Sequence, residues 1–183
     1  MCDSVVLQHC APTLAGMKTG SLFSHWFDNE EDLRCSLRQL NQKLVGKGLC
    51  ALPLNYKDGR TLIYVYRPTQ LQRDLGDVTA NRLLTERGYH CNQPQQCILH
   101  LLERLAESAE FPHEIGLFLG YPPEDVSGFI ENKAACAKCV GCWKVYGDEE
   151  AARKRFAKYE KCTAVYCDLW EKGRSMERMI VAG

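Results

Sequence analysis

Three cysteines within a few residues of one another constrain this chain more than any other feature of its sequence. They form the run Cys136-x2-Cys139-x2-Cys142, and Cys162 and Cys167 follow downstream. Sulfur ligands spaced this closely can converge on one point, which is typical of a zinc site, an iron–sulfur cluster or a reactive thiol pair. The run alone leaves all three open.

The source of a fourth ligand separates these interpretations. Bacterial ferredoxins continue such a run with a further cysteine and a proline, whereas this chain has Tyr146 and Gly147. A zinc site would need the pair Cys162 and Cys167, which is spaced more widely than the pairs of zinc motifs. On one continuous helix these two side chains point about 140° apart, so one of them can face the loop. The predicted ligands of zinc or an iron–sulfur cluster are Cys136, Cys139, Cys142 and Cys162. The alternative is that the loop cysteines are incidental and the helical ones serve packing.

The composition is typical of an ordinary globular protein. Of 183 residues, 45% are hydrophobic and 25% are charged, and 23 basic residues balance 23 acidic ones. A net charge of zero gives no field that would recruit nucleic acid or an anionic membrane. The apolar runs are too short to cross a bilayer, and the N-terminus has no cationic, apolar signal segment. We therefore expect a cytoplasmic protein that binds neither nucleic acid nor membrane.

The cysteine count also argues for chemistry in a reducing compartment. Eleven cysteines cannot all pair within one chain, and clustered cysteines in a reducing cytosol more often bind metal or undergo redox chemistry than form structural disulfides. The scattered cysteines are expected to be small buried hydrophobes or neutral surface residues. These are Cys2, Cys10, Cys35, Cys50, Cys91 and Cys97.

Hydrophobic periodicity predicts a single α+β domain over residues 1–183, mostly helical with a small antiparallel sheet. Strand-like segments at 49–55 and 61–66 flank Lys57-Asp58-Gly59-Arg60, which is a hairpin signal. Residues 5–16 are irregular and predict at most a short strand or a helical turn. A long C-terminal helix is predicted from Glu149 to about Lys172. Further helices are predicted over 33–44, 78–87, 94–105, 115–119 and 124–130.

His113 is the candidate general base of the chain. Paired with a loop cysteine, Cys142 or Cys139, it would form a nucleophile–base pair. Its neighbour Glu114 cannot be its partner on a helix, because adjacent side chains point about 100° apart. The alternative is that both residues occupy the first turn after a proline, where Glu114 favours the helix dipole. The following Tyr121-Pro122-Pro123 is interpreted as a pocket rim or as a stiff connector between helices.

Several segments together resemble a known family. They are Pro12-Thr13-Leu14-Ala15-Gly16-Met17-Lys18, Tyr66-Arg67-Pro68, the stretch from Phe111 to Val126, Trp143-Lys144-Val145-Tyr146-Gly147-Asp148 and Lys161-Cys162-Thr163. In this order the chain resembles a bacterial family of anaerobes catalogued as domain of unknown function 3793. The resemblance covers nearly the whole chain and implies redox or metal physiology, with a flavodoxin-like or other redox partner. It implies no functional residue.

Three functions are therefore compared. The first is an accessory metal-binding or thiol-redox protein that uses the cysteine cluster. The second is a small-molecule enzyme with a cysteine nucleophile and His113 as base. The third is a non-catalytic binding protein, whose long C-terminal helix would bury an apolar stripe in the core. That stripe consists of Ala152, Phe156, Tyr159, Thr163 and Tyr166, extended by Trp170.

Overall fold

The computed structural model describes residues 1–90, 93–107 and 110–183. Cys91 lies outside the described residues. The helices are α1 (Asp3–Leu14), α2 (Glu30–Leu44), α3 (Pro68–Leu75), α4 (Val78–Thr85), α5 (Pro94–Glu107), α6 (Ile115–Phe118), α7 (Pro123–Glu131), α8 (Glu149–Glu171) and α9 (Met176–Met179). The strands are β1 (Gly20–Trp26), β2 (Cys50–Lys57), β3 (Arg60–Tyr66), β4 (Cys139–Val140) and β5 (Lys144–Val145). The predicted α+β class, mostly helical with a small antiparallel sheet and a long C-terminal helix, is confirmed.

The described chain divides into two compact units. Unit 1 contains residues 1–69 and 161–183, and unit 2 contains residues 70–160. Each has its own buried cluster of apolar side chains. The candidate site lies in unit 2, which contains the short antiparallel hairpin of β4 and β5, and unit 1 carries the three-stranded antiparallel sheet.

The sheet of unit 1 has the strand order β1-β3-β2, with antiparallel pairing throughout. The predicted hairpin between β2 and β3 is confirmed. Its turn residues Asp58 and Gly59 have φ values of 51° and 83°, the two positive values that a type I′ turn requires. One face of the sheet contributes Phe23, Ile63 and Val65 to a core shared with α1 and α2.

The N-terminal segment is a helix, so the expectation of irregular structure over residues 5–16 is wrong. Helix α1 buries Val6, Leu7 and every residue from Cys10 to Leu14. Gln8 and His9 are the exposed residues of this helix, and two adjacent polar positions followed by a wholly buried last turn do not reveal a helical period. Arg67, itself buried, donates to the carbonyl oxygens of Thr13 and Leu14 at 2.7 and 2.9 Å, which satisfies groups at the end of α1.

Helix α8 confirms the long helix predicted from Glu149. Its 23 residues correspond to about 34 Å at 1.5 Å per residue, and Gly173 ends it with a φ of 83°. Within unit 2 the predicted apolar stripe is buried at Ala152, Phe156 and Tyr159. Its remaining residues are half-buried, and Tyr166 and Trp170 pack against the core of unit 1.

Candidate functional site

A pocket in unit 2 gathers residues from two separate parts of the sequence. Its cavity volume is about 280 Å³. One wall comes from the segment around α6 and α7, and the other from the hairpin formed by β4 and β5. The walls include His113, Tyr121, Phe129, Cys142, Trp143 and Lys144.

Asp125 attaches the hairpin to α7. Its carboxylate is 3% exposed and accepts three hydrogen bonds of 2.7 Å each, from the indole N–H of Trp143 and the backbone N–H groups of Tyr146 and Gly147. Charge-assisted hydrogen bonds of this length are among the stronger ones in proteins. One buried carboxylate therefore fixes the hairpin that carries Cys142.

Aromatic side chains build the floor of the pocket. Tyr121 and Trp143 stack with ring centroids 4.7 Å apart, and Trp143 meets Phe156 edge to face at 4.5 Å. Gly141, at the hairpin turn, lies so close to the Phe156 ring that an added Cβ would collide with it. The turn can approach α8 because that position has no side chain.

The Tyr121 hydroxyl connects the floor to Cys142. It donates to the Cys142 carbonyl oxygen at 3.3 Å. Burial, with a smaller contribution from negative charge on Cys142, raises the pKa of Tyr121 to about 12. Tyr121 therefore stays a hydrogen-bond donor at neutral pH and lies on the pocket wall, whereas Pro122 and Pro123 do not line the pocket and connect α6 to α7.

The loop cysteines occupy different environments. Cys142 is exposed and lines the pocket, whereas Cys139 is half-buried and packs against the Trp143 and Phe156 cluster. Cys136 is exposed and has a φ of 57°, the left-handed region that costs a non-glycine residue energy. Cys162 is half-buried on α8, in the part of that helix assigned to unit 1.

Within the part of the chain that the structure describes, no three His, Cys, Asp or Glu side chains are grouped so that they could hold a metal ion. This search covers the four cysteines predicted as ligands. Cys139 and Cys142 are the two of them that one hairpin carries, at the start of β4 and in the turn before β5. Metal binding by these cysteines stays a prediction.

His113 and Glu114 lie in the turn before α6, not on a helix, and they point into different surroundings. His113 lines the pocket and meets the Phe129 ring edge to face at 4.8 Å. The Glu114 side chain is buried, lies 2.6 Å from the guanidinium of Arg104 and accepts a hydrogen bond from the Tyr89 hydroxyl at 3.0 Å. Glu114 is thus occupied by structural partners, and His113 alone of the two faces the pocket.

Lys144 supplies a positive charge to the pocket. Its ammonium group donates to the Ala134 carbonyl oxygen at 2.7 Å and lies 5.8 Å from the Phe129 ring centroid. Ala134 belongs to a turn in which it, Lys133 and Cys136 all have positive φ values. Backbone held in this region is common at ligand sites, because surrounding contacts must enforce it.

The sequence comparison assigns the chain to a family. The family described as Protein of unknown function (DUF3793) matches residues 6–180. The chain belongs to this family. No curated protein and no solved structure matches it significantly. Among the described residues, no helix is long and apolar enough to span a membrane.

Sequence reasoning missed several pocket residues of this DUF3793 protein. Asp125 reads as an ordinary acidic residue in the first turn of a helix, and its hydrogen bonds depend on a segment that follows much later in the chain. Phe129 reads as a core residue of α7. Lys144 was considered as an anion-binding side chain, but a single lysine in a sequence carries almost no information. A feature of the sequence that could have indicated this pocket is the density of aromatic residues on both sides of the cysteine run.

Proposed function

We propose that this protein binds a small, largely apolar molecule in the unit 2 pocket and acts on it through the Cys142 thiol, with His113 as the proton acceptor. The observation that carries the proposal is that Cys142 and His113, from distant parts of the sequence, line the same pocket. Of the functions compared, this corresponds to the small-molecule enzyme with a cysteine nucleophile.

The walls favour a planar ligand. Tyr121, Phe129 and Trp143 offer aromatic surface, and such rings bind flat apolar groups by stacking or by edge-to-face contact. A cavity of about 280 Å³ suits a small molecule, for which a few polar groups set the orientation. The Lys144 ammonium favours a ligand that carries, or develops, a negative charge on an oxygen atom.

The chemistry follows from a thiol and an imidazole in one pocket. The Cys142 sulfur transfers its proton to a nitrogen of His113, and the resulting thiolate donates an electron pair to an electrophilic carbon of the ligand. If that carbon belongs to a carbonyl group, the π electron pair of the C=O bond moves onto the oxygen. Lys144 then stabilises the oxygen's negative charge.

Selective labelling of Cys142 tests the proposal. An aryl chloroacetamide carries a ring that the pocket can hold, whereas iodoacetamide does not. For each reagent, the measured quantity is the labelling rate of Cys142 divided by that of Cys136. We expect this ratio to be at least about tenfold higher for the aryl reagent than for iodoacetamide, which corresponds to roughly 1.4 kcal/mol of binding free energy from the ring. Cys136 is the matched control, because it is exposed in the same loop and does not line the pocket. Peptide mass spectrometry gives both rates, and an equal ratio for the two reagents contradicts the proposal.

Metal binding is the second candidate function, supported by the spacing of the loop cysteines. It would involve Cys136, Cys139, Cys142 and Cys162, with zinc or an iron–sulfur cluster, a flavodoxin-like or other redox partner and a cytoplasmic location. Anaerobic purification, metal and sulfide analysis and a visible spectrum test it. A stoichiometric metal that protects these cysteines from alkylation supports this candidate, and a metal-free protein with unprotected thiols contradicts it.

A further inference from the structure

The sheet of unit 1 carries a second pocket, on the face opposite its core. Its cavity volume is about 340 Å³. Arg60 pairs with Trp26 on one side and with Lys57 on the other, so these three side chains form one row across the strands. Directly paired residues project from the same face with Cβ atoms about 5 Å apart. A second row, formed by Ser24, Leu62 and Asn55, completes the lining.

Trp26 provides an accessible flat surface in this pocket. It is 67% exposed, the largest aromatic side chain with such exposure in the described chain. An added Cβ at Gly59 would lie 3.7 Å from the indole ring, so the hairpin turn supports part of it. An exposed indole that the backbone holds in place can stack with a planar ring at little cost in conformational entropy.

Two cations follow Trp26 in this row, Arg60 on the adjacent strand and Lys57 on the strand beyond it. Neither Lys57 nor Arg60 forms an ion pair within the described residues. The Arg60 guanidinium donates to the Ser24 hydroxyl at 3.1 Å, which holds it across the sheet face. The lining has a single acidic residue, Asp58, against these two cations. The pocket therefore combines an exposed aromatic face with an excess of positive charge.

We infer that this pocket binds a small anion that carries a planar ring, of the class represented by a nucleoside monophosphate. The ring stacks on Trp26, and the anionic group is held by Lys57 and Arg60. Stacking and charge neutralisation each contribute only moderately to the binding free energy, so binding requires both the ring and the anionic group of the ligand. The inference is independent of the function proposed for the pocket in unit 2.

Calorimetric titration with three probes tests this inference on the full chain at low salt. We expect adenosine 5′-monophosphate to bind, and adenosine and inorganic phosphate each to bind at least about tenfold more weakly. Trp26→Ala should weaken monophosphate binding by about tenfold or more, and Trp26→Phe should restore most of it. The double variant Lys57→Ala/Arg60→Ala should abolish binding of the monophosphate. The control Arg38→Ala, which removes an exposed cation on α2, should leave the affinity for the monophosphate unchanged.

Circular dichroism controls for folding, which surface changes of this kind should preserve. Three results would overturn the inference. They are no monophosphate binding up to about 10 mM, phosphate binding as tightly as the monophosphate, or binding unaffected by Trp26→Ala in a folded protein.

Discussion

Asp125 should be the polar residue on which the pocket depends most. In Asp125→Asn, one carboxylate oxygen becomes an amide nitrogen, which cannot accept a hydrogen bond. At least one of the three donors, the Trp143 indole or the backbone N–H groups of Tyr146 and Gly147, then loses its acceptor. Leaving one such donor buried and unsatisfied costs about 1–3 kcal/mol. Asp125→Ala leaves all three donors without an acceptor and should cost about 3–5 kcal/mol of stability. This is less than the sum of three separate costs, because the hairpin can move so that some of the donors reach water.

Urea unfolding followed by circular dichroism measures these costs as changes in the free energy of unfolding. Glu124→Gln is the matched control, since this neighbour is exposed and should change stability by less than about 0.5 kcal/mol. Trp143→Phe removes one donor, so combining it with Asp125→Asn should cost less than the sum of the single changes. If Asp125→Asn behaves like Glu124→Gln, the carboxylate does not hold the hairpin and the reasoning is wrong.

Three further predictions concern packing and pH. Phe156→Ala should lower the free energy of unfolding, measured by urea titration, by about 3–5 kcal/mol. The control Lys158→Ala, which changes an exposed residue of the same helix, should lower it by less than about 0.5 kcal/mol. Gly141→Ala should also destabilise the protein, because the added methyl collides with the Phe156 ring, and it should cost less in a Phe156→Ala background; equal costs in both backgrounds refute the contact. Burial raises the pKa of the fully buried Cys10 thiol from 9.0 to about 12. The folded state thus keeps a proton that the unfolded state loses, and stability should fall as pH rises from about 9 toward 12, by up to about 4 kcal/mol. Cys10→Ala should flatten this fall, and an unchanged pH dependence would contradict the assignment.

Local signals in the sequence were enough to predict part of the fold. Asp58-Gly59 specifies a type I′ turn by itself, and Gly173 ends α8 by a local backbone conformation. Helix α1 could not be predicted, because its exposed polar residues are confined to Gln8 and His9 and its last turn is wholly buried. Strand β1 was missed because its pairing with β3 depends on residues far along the chain.

The candidate site was predictable as a set of residues and not as an arrangement. His113 and Cys142 were identified as a base and a nucleophile from their residue types. That they line one pocket depends on Asp125 holding the hairpin and on the turn's approach to Phe156. Such contacts between distant segments leave no local pattern in a single sequence.

The pH dependence of Cys142 alkylation tests the central claim most directly. If His113 accepts the Cys142 proton, the Cys142 thiolate persists to lower pH than an ordinary thiolate. As the pH is raised, the rate of reaction with iodoacetamide should therefore begin to increase at a lower pH for Cys142 than for Cys136. His113→Gln should return the Cys142 profile to that of Cys136 and slow its labelling at neutral pH by at least about tenfold, while leaving Cys136 unchanged. A Cys142 profile that matches Cys136 in the wild-type protein, or that His113→Gln does not alter, contradicts a catalytic pair in this pocket.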